Sequence, residues 1–257
     1  MKKINLSVII IARNEQEMIR DCLESVCGWA DEIIIIDDAS TDKTIDIAKK
    51  YKTRITSLSE KTDFFQLRNQ GLEKASGDWI FYLDADERIT PELKGEMEKV
   101  IGETKCVAYA IPRRNFLLGK ELHWGGWWPD YVKRLYRREK LKGWEGDLHE
   151  EPVFEGELGH LKQSMIHITH RDLSLMVEKT KNWSKIEAQL LFNANHPPVT
   201  WWRILKIMLA EFYQRGLKLQ GWRDGTVGWI EIIYQMFSRF ITYARLWEIQ
   251  NQVKGES

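Results

Sequence analysis

Trp79-Ile80-Phe81-Tyr82-Leu83-Asp84-Ala85-Asp86-Glu87 is an apolar run that breaks abruptly into three carboxylates. A continuous run of this kind reads as a strand buried on both faces of a parallel sheet. The pattern also stands upstream, in Ile33-Ile34-Ile35-Ile36-Asp37-Asp38-Ala39-Ser40-Thr41-Asp42. Parallel sheets bind ligands beyond the carboxyl ends of their strands, so both acidic clusters are expected to face one crevice. Carboxylates there are hard oxygen ligands for Mg²⁺ or Mn²⁺ and acceptors for the donors of a ribose or a base.

A third buried-strand run, Leu6 to Ala12, breaks into Arg13-Asn14-Glu15. After it Met18, Ile19, Cys22, Leu23 and Val26 recur at helical spacing, with Asn14 placed to cap. Ser40 or Thr41 is placed to cap a second helix through Ile45, Ile47, Ala48 and Tyr51. A third is predicted from about Phe64 to Ala75, with Gly77 as its left-handed terminator. Strand and helix alternate, as right-handed βαβ crossovers require.

The order Ala12-Arg13-Asn14-Glu15, Asp37 to Asp42, Arg68-Asn69-Gln70-Gly71, Leu83-Asp84-Ala85-Asp86-Glu87 resembles the family 2 glycosyltransferases of GT-A fold. His149-Glu150 and Gly221-Trp222-Arg223-Asp224-Gly225 are similar to the bacterial lipopolysaccharide-core glucosyltransferase branch. The fold so implied is α/β, a GT-A-type mostly parallel twisted sheet flanked by helices, with a C-terminal helical extension. Residues 1–170 would form the nucleotide-sugar-binding and catalytic domain, and residues 171–257 the extension.

The resemblance implies nucleotide-sugar-binding roles for Ala12, Arg13, Glu15, Asp38, Arg68, Asp84, Ala85 and Asp86. Asp38 would accept a hydrogen bond from uracil, and Arg68 would approach the diphosphate unless it is merely solvated. Asp84-Ala85-Asp86 is a D-x-D, whose two carboxylates point the same way if the segment is extended. Asp86 would hold the cation that bridges the phosphates, while Asp84 holds ribose or shares the metal shell. No glycine or further acid follows at EF-hand offsets. Glu87 reads as structural, before Thr90-Pro91.

Inverting sugar transfer needs a base for the acceptor hydroxyl. Trp144-Glu145-Gly146-Asp147-Leu148-His149-Glu150-Glu151 supplies the candidates. By the resemblance the base is Glu150, with Asp147 and Glu151 as alternatives and His149 as a metal or phosphate ligand. No Ser/His/Asp or Cys/His arrangement suggests a covalent intermediate.

A chain of 257 residues can bury a substantial core. Its 38 basic and 38 acidic residues cancel, so no global field draws it to nucleic acid. Basic residues nevertheless crowd from Arg113 to Lys142. Cys22, Cys27 and Cys106 have no metal spacing and suit packed thiols in a reducing cytoplasm. Lys2-Lys3 before an apolar run mimics a secretion signal, but the run meets Arg13 and Glu15 and reads as a strand.

Ten of the twelve tryptophans lie beyond residue 120, where the pattern turns irregular and then helical. From Trp229 to Trp247, Ile230, Ile233, Phe237, Phe240, Ile241 and Ala244 form an apolar stripe. Glu231, Gln235, Arg239, Thr242, Arg245 and Glu248 form the other face, too charged to span a bilayer. Trp201 to Met208 is amphipathic, with basic residues beside tryptophan. Such helices pack on the catalytic domain or a second subunit, or lie peripherally on a membrane.

The expected activity is a cytoplasmic, metal-dependent, inverting transfer from a UDP-sugar, UDP-glucose first. The acceptor would be a lipid-linked lipopolysaccharide-core glycan at the cytosolic face of the inner membrane. A transferase for another envelope or capsular glycan and a non-catalytic glycan-binding module are the alternatives. A Rossmann dehydrogenase is disfavoured because no G-x-G-x-x-G follows the first strand, and a sugar nucleotidyltransferase because no glycine-rich phosphate loop opens the chain.

Overall fold

The computed structural model describes residues 5–102, 105–146 and 150–255. The chain divides into two compact units, Met1–Arg113 with Asp130–His167 and Arg114–Pro129 with Ile168–Ser257. The first unit opens with β1 (Leu6–Ala12), α1 (Ile19–Val26), β2 (Glu32–Asp37), α2 (Thr44–Ala48), β3 (Arg54–Ser57), α3 (Phe64–Lys74) and β4 (Trp79–Asp84). A short β5 (Glu87–Arg88) and α4 (Pro91–Gly102) follow.

The first four strands lie in the parallel order β3-β2-β1-β4. Their register aligns Ala12 with Asp37 and Ile11 with Asp84, so the three chain breaks leave the sheet at one level. The inner strands β1, β2 and β4 are buried on both faces, as their unbroken apolar runs require, while the edge strand β3 is not. Val8, Ile10 and Ile35 pack with α1 residues Ile19, Cys22 and Leu23. Ile9, Ile11, Ile34 and Ile36 face the other way, with Leu67 of α3.

Beyond β4 come β6 (Ala108–Leu117), β8 (Asp130–Arg137), β9 (Leu141–Glu145), β10 (Glu151–Phe154), β11 (Leu158–His160) and β12 (Met165–Ile168). β8 pairs antiparallel with β4 and with β6, and β12 pairs antiparallel with β5. The sheet is therefore mixed, parallel through its first half and mainly antiparallel beyond it, where β11 nevertheless runs parallel beside β6. Among the described residues, the strands after α4 are joined by turns rather than α-helical crossovers, and short connections impose antiparallel pairing.

Three local expectations change. Asn14 does not cap α1; it sits at φ 53° and its side-chain oxygen accepts from the Thr41 amide at 2.8 Å. The first amide of α2, Thr44, is received by Asp42 at 2.9 Å, not by Ser40 or Thr41. Gly77 is no left-handed terminator: a Cβ there would lie 2.7 Å from the Ser7 amide nitrogen, so the residue is small to let the chain pass β1. Of the thiols, Cys22 and Cys106 are packed and Cys27 is exposed.

The second unit holds the end of β6 paired with β7 (Lys120–Leu122), then α5 (Leu173–Asn193), α6 (Trp201–Glu211) and α7 (Gly225–Gly255). Between α6 and α7 the chain makes a π-helical segment, Phe212–Lys218, and a 3-10 turn, Gly221–Asp224. Asp224 is buried and accepts from the His123 and Trp124 amides, the latter at 2.9 Å, so it pins the loop after β7.

Helix α7 turns part of the face that looked polar inward. Glu231 and Thr242 are 2% and 1% exposed, while Ile233, Phe237, Phe240 and Trp247 of the apolar stripe are exposed. Thr242 and Arg239 on this side pair with acids of the neighbouring helices. Thr242 donates to Glu187 at 3.0 Å, and Arg239 reaches both Glu187 and Glu211 at 3.4 Å.

Candidate active site

The carboxyl ends of β1, β2 and β4 build the site. The loops after β1 and β2 are zipped by short-range contacts. The Asn14 amide donates to Ser40, the Glu15 amide to Thr44 at 2.8 Å, and the Gln16 amide to Asp42 at 3.0 Å. The zip holds Ala12 at the strand end and Glu15 one turn on. Asp38, 4% exposed, accepts from the Thr62 amide at 2.8 Å and from the Arg13 guanidinium at 3.2 Å. Two carboxylate oxygens offer about four lone-pair positions, so these two donors leave Asp38 able to accept more.

Helix α3 delivers the other half of the site, and each residue of Arg68-Asn69-Gln70-Gly71 but Gln70 has a visible task. At Gly71 a Cβ would come within 2.4 Å of Ile9 Cγ2, so the glycine lets α3 lie directly on β1. Asn69 clamps β9 by its side chain, accepting from the Trp144 amide at 2.8 Å and donating to its carbonyl at 2.9 Å. Arg68 is 5% exposed, not solvated as a helical arginine usually is. Its guanidinium carbon lies 4.6 Å from the Trp144 ring centroid and 5.5 Å from that of Tyr82. Such stacking is worth up to about 2 kcal/mol when desolvated.

Arg68 ties the two carboxylate groups together. Its Nε and Nη2 both donate to Glu150 Oε1 at 3.3 Å, and Nη2 stands 3.5 Å from Asp84 Oδ1. Its Nη1 is buried with no hydrogen-bond acceptor among the described residues. The other oxygen of Asp84 accepts from Arg134, which is 5% exposed on β8. Burial opposes ionisation of Asp84, but Arg134 and Arg68 outweigh it and hold the carboxyl well below the usual range. Arg134 also donates to Glu87 at 2.7 Å. Glu87 is wholly buried, receives the Asp84 amide at 3.0 Å, and is a structural post for the D-x-D turn.

Ala85 is buried at the turn, and Asp86 is the more open carboxylate of the pair, with 34% side-chain exposure against 29% for Asp84. His167 Nε2 lies 3.4 Å from Asp86 Oδ2. The open Asp86 carboxylate offers the hard oxygen that Mg²⁺ or Mn²⁺ prefers, and among the described residues no cluster of three His, Cys, Asp or Glu ligands surrounds it. Asp84, by contrast, already has a cation on each oxygen. His149 and Asp147 lie outside the described residues. Glu151 is an outward residue, 68% exposed in its side chain and paired with Lys133 at 2.6 Å.

Sequence reasoning missed His167, Arg134 and Asn69. The usable signal was a polar residue inside an apolar strand run, as in Met165-Ile166-His167-Ile168 and Arg134-Leu135-Tyr136. The basic crowding from Arg113 onward also has an inward purpose, since Arg113 and Arg134 converge on Glu87.

Comparison with known proteins identifies the family and the fold. The chain is 28% identical over 265 residues to the lipopolysaccharide core biosynthesis glycosyltransferase LpsC of Rhizobium meliloti, covering 96% of this chain and 93% of LpsC. Two solved structures share the fold. Mannosyltransferase PcManGT from Pyrobaculum calidifontis, in complex with GDP-Man and Mn²⁺, matches with TM-score 0.54 and 13% identity, over 98% of this chain and 88% of its own. S. aureus TarS 1-349 in complex with UDP-GlcNAc matches with TM-score 0.52 and 15% identity, over 96% of this chain and 92% of its own. Residues 7–152, more than half of the chain and all of the acidic clusters, match the sequence model for glycosyl transferase family 2, so the protein belongs to that family and is a glycosyltransferase.

Proposed function

We propose that this glycosyltransferase moves a sugar, glucose first among candidates, from a UDP-sugar to a lipopolysaccharide-core or similar cell-envelope glycan, with inversion. The observations that carry the donor half are the Asp86–His167 pair and, on the Asp84 side of the same D-x-D, the buried Arg68, whose Nη1 has no acceptor among the described residues. In this reading Asp86 and His167 would hold Mg²⁺ or Mn²⁺, and a phosphate oxygen would satisfy Arg68. The bound cation supplies Lewis-acid neutralisation of charge on the departing diphosphate. Asp38 accepts from the uracil ring, between Ala12, Arg13 and Glu15. Glu150, oriented by Arg68, takes the proton of the acceptor hydroxyl. The acceptor half is supported by the near full-length similarity to LpsC.

The test is a panel of UDP- and GDP-sugars scored for nucleotide diphosphate release with Mn²⁺ and with chelator. UDP-glucose is expected to lead the panel and chelator to abolish release. Turnover of GDP-mannose alone, or turnover indifferent to chelator, would contradict the proposal.

A further inference from the structure

The helical unit has small apolar clusters inside, around Met176 with Tyr234 and around Leu246, yet it also buries polar groups while leaving many large apolar ones outside. The inner seam of α5 is Met176, Thr180, Ser184 and Ala188, and α7 adds Glu231 and Thr242. Thr180 shares a 2.7 Å hydrogen bond with Tyr234, and Glu187 and Glu211 hold Arg239. Outside, α6 reads Trp201-Trp202-Arg203-Ile204-Leu205-Lys206-Ile207-Met208-Leu209-Ala210-Glu211 and has no buried residue at all. Trp201 and Trp202 are 74% and 56% exposed. The Phe212 ring stacks on Trp229 with centroids 6.4 Å apart, which carries this surface onto the outward stripe of α7. A water-facing helix normally turns such a stripe to the core, and large apolar side chains exposed side by side mark an interaction site.

We infer that this face docks on an anionic phospholipid bilayer, with α6 lying in the interfacial plane. Charge complementarity selects that occupant. Between Trp201 and Arg223 every exposed charged residue, Arg203, Lys206, Lys218 and Arg223, is basic. The one acid of that stretch, Glu211, is engaged by Arg215 at 2.5 Å and by Arg239. Tryptophan beside lysine and arginine is the composition of membrane-surface helices, whereas lysine is depleted in interfaces between proteins. Among the described residues no helix is long and apolar enough to cross a membrane, which leaves the in-plane mode. The docking rests on α6 and α7 alone, so it stands or falls apart from the donor assignment.

The test is flotation of the full chain, without donor, on vesicles of phosphatidylcholine alone or mixed with phosphatidylglycerol. Binding is expected on the mixed vesicles only and is expected to weaken as salt rises. Arg203→Gln with Lys206→Gln should lower the partition coefficient by roughly 10- to 30-fold, since each basic residue near an anionic surface is worth about fivefold. Trp201→Ala with Trp202→Ala should lower it further while leaving the melting temperature almost unchanged. Equal partition on both vesicle types, or none on either, overturns the inference. So does a concentration-dependent dimer that Leu205→Glu with Leu209→Glu dissolves without any change in vesicle binding, because that outcome assigns the face to a second copy.

Discussion

Arg134 shows how far the D-x-D depends on residues beneath it. One buried guanidinium bridges Asp84 and Glu87, and removing it would leave each with a single, longer ion pair, Asp84 to Arg68 at 3.5 Å and Glu87 to Arg113 at 3.4 Å. Breaking a buried pair by deleting one partner costs about 3–5 kcal/mol, so Arg134→Met should show that loss in urea denaturation. Asp84 sets the pH sign. Its carboxyl lies below the usual range in the folded chain, so the ion pairs contribute fully at neutral pH and are lost as pH falls through the depressed value. Glu150→Gln keeps shape but cannot take a proton, and turnover should fall by about two to four orders of magnitude with UDP affinity nearly unchanged. Steady-state kinetics beside calorimetry separates the two, and a lost UDP affinity would move Glu150 into the donor site. Asp38→Ala should weaken UDP binding by about 1–3 kcal/mol; unchanged affinity would leave Asp38 as a turn residue that receives Thr62 and Arg13.

Helix α3 is positioned by contact rather than by a loop, and this makes its glycine testable. Gly71→Ala places a methyl group 2.4 Å from Ile9 Cγ2, and overpacking of that kind costs about 1–3 kcal/mol. A melting curve reads it, and an unchanged midpoint would show that α3 moves off β1 freely. Helix α7 gives a second test through Glu231. Burial pushes its carboxyl up to about 7, against opposing help from Gln235 and Arg215. The folded chain then binds this proton more tightly than the unfolded one. Stability should fall as pH rises from near 4.5 to about 7 and level off above. A shift of that size corresponds to roughly 3 kcal/mol, and Glu231→Gln should flatten the profile measured by denaturation at each pH. The strands and their acidic ends were legible because a doubly buried strand must be continuously apolar. The sense of α7 was not, because a 3.6-residue period reveals an apolar stripe without saying which side is wet. His167 was hidden for a related reason, since a lone histidine in a four-residue strand carries no spacing to read.

At the scale of the whole molecule, a parallel half-sheet gathers Ala12, Asp37 and Asp84 at one level, and an antiparallel half supplies the strands that bring Arg134 and His167 to the D-x-D. Family membership and the enzyme class follow from the match over residues 7–152. The donor assignment rests on far fewer atoms, chiefly the Asp86 carboxylate and its histidine neighbour. Its most direct test is calorimetric titration of UDP with and without Mn²⁺ into the wild type and into Asp86→Ala. UDP is expected to bind the wild type tightly only with Mn²⁺, and Asp86→Ala is expected to lose that metal dependence while keeping its fold. Equal UDP affinity in both proteins, with and without the metal, would contradict it.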